Sequence, residues 1–187
     1  MKNKPFLKVS LFIPLIFFSC TTTNFKSSKA LTVDLNVECL IDSLRVKQLS
    51  NRDCNIASLA GVLAYWGSDI TQEEIKNELG RAPVSGYSLF QLKEFAEKKE
   101  FLAFVLTGDF SLLKYHTDLN RPVIIIVKSS IFRNHSLVVY KVIDKGSKYN
   151  LNIMDPSSGQ LFTYSSTSIE DSWRRLGYPI FLVGKAM

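Results

Sequence analysis

The sequence predicts an α+β domain over residues 31–187 behind an export leader. Two observations carry the fold class. Apolar residues recur at helical spacing behind capping signals as far as Lys98, and from Phe101 onward short β-branched and aromatic runs are separated by Gly, Pro, Asn, Asp and Ser. A third observation bounds the size: 187 residues that are 46% hydrophobic, 12% aromatic and 21% charged fit one globular domain and exclude disordered and collagen-like chains.

Residues 1–19 place Lys2, Lys4 and Lys8 ahead of an apolar run from Leu11 to Phe18 that Pro14 interrupts and Ser19-Cys20 closes. The run is shorter than the about 20 apolar residues a spanning helix needs. A basic head, a short apolar middle and a small exit residue form a secretory signal. Ser19-Cys20 resembles the exit of a bacterial lipoprotein signal, with Phe17 where an aliphatic residue is usual. The resemblance implies that Cys20 is diacylated and becomes the new N-terminus; the alternative is a plain signal cut near or beyond Ser19, with Cys20 an incidental thiol. Residues 20–30 are Ser/Thr/Lys-rich without apolar periodicity, a flexible tether reaching about 15–20 Å. The expected product is an exported lipoprotein held to the membrane by its anchor, on the periplasmic or cell-surface side.

Within the domain, Leu31, Val33, Leu35 and Val37 alternate with polar residues and predict a half-buried strand. Ile56, Leu59, Ala60, Leu63 and Trp66 then follow a helical period behind Asp53, a candidate N-cap, and Gly67 ends the run. Thr71-x-x-Glu74, ending at Gly80, and Ser88-x-x-Gln91, running to Lys98, are capping boxes for two more helices. FLAFVL, a short helix around Leu112 and Leu113, PVIIIVK, HSLVVYKVI, YNLNIM, QLFTY, a helix near Ile169 to Leu176 and PIFLV complete a mainly antiparallel sheet with its helices.

Three cysteines and two histidines narrow the chemistry. Cys39 and Cys54 admit a disulfide in an oxidising exterior. The opposing assignment makes Cys39 a buried small hydrophobe at a strand end and Cys54 a nucleophile, because Cys54 opens the most apolar helix, where free amides and the helix dipole favour a thiolate. Of its possible proton partners, His116 lies in the polar stretch YHTDLN and reads as a solvated imidazole. His135 opens an apolar strand, and Asp155 ends the next one at the corresponding lip. Cys, His and Asp in that order satisfy the generalised triad, in which the carboxylate takes the Nδ1 proton and leaves Nε2 for the sulfur. Asp155-Pro156-Ser-Ser-Gly is also simply a good turn. Gln48, six positions before Cys54, can join the Cys54 N–H as an oxyanion donor.

QLSNRDCNIASLAGVLAYWG, with RPVIIIVK, NHSLVVYKV and IMDPSSGQ after it, resembles the papain-like cysteine peptidases that remove double-glycine leaders from bacteriocins and other exported peptides. The resemblance spans Gln48 to the C-terminus. It implies a papain-like fold with the site in a cleft between helices and sheet, Cys54 as nucleophile, His135 as general base and acid, Asp155 as orienting carboxylate and Gln48 as oxyanion donor. Asn55 stands where Gly is usual after the nucleophile, and Tyr140 where Gly is common after the His strand. Leader peptidases of exporters work on the cytosolic side, so the export signal separates this chain from a double-glycine substrate.

The expected function is therefore a lipid-anchored extracytoplasmic thiol hydrolase acting on peptides or proteins. Its alternatives are a non-catalytic peptide-binding module, an acyltransferase, and a cell-wall endopeptidase using the same thiol. No phosphate-cradling loop and no zinc-type Cys/His spacing occurs, so no cofactor is indicated. Arg174 and Arg175 read as a solvated helix end. The formal net charge of +6 suggests nucleic acid only until it is located. Lys2, Lys4 and Lys8 lie in the leader and Lys26 and Lys29 in the tether, neither of which holds an acid, so the domain from Leu31 is close to neutral at +1.

Overall fold

The structure, a computed structural model, describes residues 37–185 apart from 82, 84, 85 and 132. The signal, Cys20, the tether and residues 31–36 of the expected first strand lie outside these. Where that strand enters the described residues it gives way to a helix over 37–43 (α1). Val37, Leu40, Ile41 and Leu44 are spaced i, i+3, i+4 and i+7, and Leu44 is buried, so the helical period overrides the alternation.

The elements that follow are α2 (Cys54–Tyr65), α3 (Gln72–Leu79), α4 (Leu89–Lys98), β1 (Phe101–Thr107), α5 (Phe110–Asp118), β2 (Val123–Ser130), β3 (Arg133–Asp144), β4 (Tyr149–Asp155), β5 (Gln160–Ser165), α6 (Ser166–Arg174) and β6 (Pro179–Lys185). The six strands form one sheet in the order β1-β6-β2-β3-β4-β5, every neighbouring pair antiparallel. This is the α+β architecture expected, with N-terminal helices packed on an antiparallel sheet.

Both faces of the sheet are covered, which is why β2 reads as an unbroken apolar run. Ile124, Ile126, Val138 and Met154 face the helical layer of α2, α3 and α4. Val123, Ile125, Val139 and Ile153 face the other way, onto Leu113 of α5 and Ile169 and Trp173 of α6. Both tryptophans are structural. Trp66 donates Nε1–H to the Val183 carbonyl at 2.9 Å, and the buried Trp173 donates to that of Pro179 at 3.1 Å.

Caps set the helix ends. Thr71 accepts from the Glu74 amide, and Ser88 with Gln91 forms the full reciprocal box. Asp53 occupies the N-cap position of α2 without capping it, because its side chain turns instead to Lys76 of α3 at 2.8 Å. Gly61 lets α2 lie against α1, since a Cβ there would come within 2.7 Å of the Leu44 carbonyl oxygen. Arg174 and Arg175 both pair with Asp171, which makes them the solvated helix end expected. Among the described residues no helix is long and apolar enough to cross a membrane.

Candidate active site

The apolar residues of α2 bury it against β3, and this packing brings its first residue, Cys54, near His135 at the start of that interior strand. The thiol is free and only 9% exposed. As the first helical residue it carries an N–H without an intrahelical acceptor. Cys39 is exposed in α1 and is not its disulfide partner, which corrects both its expected burial and its expected strand.

His135 lies near the start of β3 and Asp155 at the end of β4. The imidazole Nε2 meets Asp155 Oδ1 at 2.8 Å, with both side chains mostly buried. This reverses the nitrogen expected at the carboxylate. The ring reaches across from β3, so its far nitrogen meets the neighbouring strand and Nδ1, nearer the backbone, remains for the sulfur. His135 also shares a hydrogen bond with Cys54.

Electrostatics follow from these contacts. Burial opposes charge on His135, but the hydrogen bond to Asp155, the one to Cys54 and both negative partners raise its pKa to about 9. Burial likewise opposes ionisation of Asp155, and hydrogen bonds from His135 and from the side chain and backbone of Ser157 hold it at about 2. For Cys54, burial is again the largest influence and pushes the thiol up. Hydrogen bonds from His135 and from the Ser136 backbone and hydroxyl outweigh it and bring the thiol below its ordinary value. These shifts all move the group toward a thiolate–imidazolium pair beside an ionised carboxylate.

Gln48 sits on the loop before α2, and the loop is fastened from two sides. The Gln48 amide donates to the Pro156 carbonyl at 2.8 Å, and Gln72 Nε2 donates to the Lys47 carbonyl at 2.7 Å. Gly159, at φ +70°, permits the close approach of the Asp-Pro turn, since a Cβ there would stand 3.1 Å from the Lys47 backbone nitrogen. The buried Gln48 Oε1 has no hydrogen-bond partner among the described residues.

Three contributors escaped sequence reasoning. Ser136, fully buried, hydrogen-bonds Ser58 of α2 at 2.9 Å as well as the thiol; a serine directly after the His was the available signal. Asn55 Nδ2 donates to the Tyr87 carbonyl at 2.6 Å and ties the residue after Cys54 to the loop before α4. Asp53, 1% exposed, forms its ion pair with Lys76 directly before Cys54. His116, expected at the surface, is buried and distant in role: with Leu113 and Thr117 it forms the face that α5 presents to β3, and burial, then Arg121, lowers its pKa.

A cleft of about 550 Å³ opens over Cys54 between the residue 86–89 loop and the start of β3. The Peptidase C39 family model matches residues 43–183. The chain belongs to the Peptidase C39 family. It is thus a cysteine-peptidase domain of papain-like architecture. This C39 chain is similar to LagD, the lactococcin-G-processing and transport ATP-binding protein of Lactococcus lactis subsp. lactis, with 32% identity over 117 residues, 62% of this chain and 16% of the relative. It is also similar to the transport/processing ATP-binding protein ComA of Streptococcus pneumoniae, 27% identical over 127 residues, 67% of this chain and 17% of that one. It therefore matches about a sixth of the length of these curated relatives. The crystal structure of the peptidase domain of Streptococcus ComA, a bi-functional ABC transporter, superposes with a TM-score of 0.63 at 25% identity, covering 75% of this chain and 97% of that one. A double glycine motif protease from an AMS/PCAT transporter, in complex with leader peptide, shares the fold at a TM-score of 0.57 and 20% identity, over 75% and 90% of the two chains.

Proposed function

We propose that this C39 domain is a lipid-anchored peptidase outside the cytoplasmic membrane that cuts peptide bonds through an acyl-enzyme on Cys54. The observation that supports it best is His135, which hydrogen-bonds Cys54 on one side and Asp155 on the other. The Cys54 thiolate attacks the scissile carbonyl carbon. The oxyanion that forms is stabilised by the Cys54 N–H and the Gln48 side-chain amide, and His135 passes its proton to the departing amine. Neutral His135 then takes a proton from water as the water attacks the thioester, the C–S bond breaks, and the carboxylic product leaves. Asp155 keeps the ring oriented and stabilises the imidazolium in both halves.

A peptide substrate is supported by the family and by relatives named for processing, LagD for that of lactococcin G. Double-glycine leaders are not carried over, because Lys2, Lys4, Lys8 and the Ser19-Cys20 exit favour an extracytoplasmic location. The test is mass spectrometry of the mature protein with a thiol-directed probe. We expect acyl groups on Cys20, probe mapped to the peptide that contains Cys54, and loss of that label and of peptide cleavage in Cys54→Ala, whatever label the exposed Cys39 takes. A retained leader, or an unlabelled Cys54 in folded protein, overturns the corresponding half of the proposal.

A further inference from the structure

Arg52 and Arg133 each stand two residues before a member of the reacting pair, Arg52 before Cys54 and Arg133 before His135. Although one precedes a helix and the other opens a strand, they line the same cleft. Both are exposed, and neither has an ion-pair partner among the described residues, where every other site carboxylate is already engaged. Asp53 is held by Lys76 and Asp155 by His135.

The remaining lining sharpens the contrast. Asn51, Asn55, Ser88 and Asn134 are neutral polar residues, Ile126 and Leu89 are apolar, and no Asp or Glu lines the cleft among the described residues. A third cation, Lys128 of β2, reaches Asn134 Oδ1 at 3.4 Å and adds positive charge beside the cleft lining. In a domain of net charge close to zero, this concentration is local, and a concave site focuses its field on whatever enters. Guanidinium groups also match carboxylates in shape, offering two parallel donors to two oxygens.

We propose that Arg52 and Arg133 are specificity-determining residues that select peptides carrying Asp or Glu next to the scissile bond. The assignment rests on the peptidase function proposed above and adds a substrate class to it. An acidic side chain beside the scissile bond comes within reach of a guanidinium, while a lysine there meets like charge and a neutral isostere forfeits the charge-assisted bond.

The experiment uses the full mature chain and quenched-fluorescent peptides with Asp or Glu exchanged for Asn, Gln or Lys at each position around the cut. We expect kcat/KM about tenfold higher for an acidic residue than for its amide at one position at least, with the preference shrinking as salt rises. Arg52→Gln and Arg133→Gln, checked by thermal melting to be folded, should lower the preference without abolishing cleavage of neutral peptides. Arg52→Glu and Arg133→Glu should turn it toward Lys. Cleavage with equal rates for acids and amides, or charge swaps that leave the ranking intact, overturns the proposal. Anisotropy of the same peptides on Cys54→Ala separates it from the peptidase reading. Tighter binding of acidic peptides by a chain whose wild type cuts nothing leaves the selectivity standing and removes the catalysis, whereas equal binding removes the selectivity.

Discussion

The helical and sheet sides of the candidate site each hold a buried or half-buried aspartate beside a proposed reacting residue, and the two behave differently because of what they pair with. On the helical wall, Asp53 adjoins Cys54 and meets the Lys76 ammonium at 2.8 Å. On the sheet wall, Asp155 meets His135 at the same distance. Lysine stays charged throughout the ordinary pH range, and Asp53 raises its pKa further, so the first pair fastens α2 to α3 and does not titrate with the chemistry. Histidine changes charge within reach of neutrality, so the second pair sets the protonation of His135, the proposed base. Equal geometry at the carboxylate thus gives a fastening in one place and a proton control in the other.

Asp155→Asn tests the contrast most severely. We expect kcat to fall by about 10⁴-fold, the order seen when a triad carboxylate becomes an amide. The alkaline limb of kcat/KM, which lies near the His135 pKa of about 9, should move down, because burial is then opposed by Cys54 alone. Stability should shift with a defined sign. The raised pKa of His135 contributes stability in full below 6.5 and loses it as pH rises through about 9. The lowered pKa of Asp155 contributes above 3.8 and is lost as pH falls through about 2. Unfolding midpoints measured across pH should show both declines in the wild type and smaller ones in the variant, where Cys54 still raises His135 and Asp118 and Asp171 still hold lowered pKa values.

Gln48→Ala should cost about 10²–10³ in kcat with KM little changed, as removal of one oxyanion donor does. An unchanged rate would leave the Cys54 N–H as the principal donor. On the helical wall the expected loss is in folding. Lys76→Ala leaves Asp53 buried and unpaired and should destabilise by about 3 kcal/mol in denaturant titration, whereas the pH profile of the folded enzyme keeps its alkaline limb. A moved limb would show that Asp53 influences the sulfur after all. The smallest effect belongs far from both walls: Arg174→Gln, at an exposed pair, should change stability by about 0.5 kcal/mol or less.

These contrasts mark how far the sequence could be read. Strand runs such as PVIIIVK and HSLVVYKVI carry their own boundaries, and the capping signals at Thr71 and Ser88 are local chemistry, so both survive into three dimensions. The order Cys54, His135, Asp155 was visible because each stands at the end of an element. Ring orientation was not, since which imidazole nitrogen meets Asp155 depends on the spacing between strands. His116 misled for a related reason: polar neighbours in sequence point to solvent, while its own position on α5 points to β3. The helix at 37–43 failed through rival periods, alternation up to Val37 competing with the i, i+3, i+4, i+7 set that begins there.

The hydrogen bond from the Gln48 amide to the Pro156 carbonyl crosses from the helical layer to the turn that follows Asp155. The loop that carries the candidate oxyanion donor and the turn that carries the carboxylate therefore separate only when this one amide is released. Its hydrogen–deuterium exchange rate is a clock for that seam. If peptide binding slows exchange at Gln48 more than at neighbouring Leu49, the loop and the turn close as a unit, and the clock can be read without any turnover.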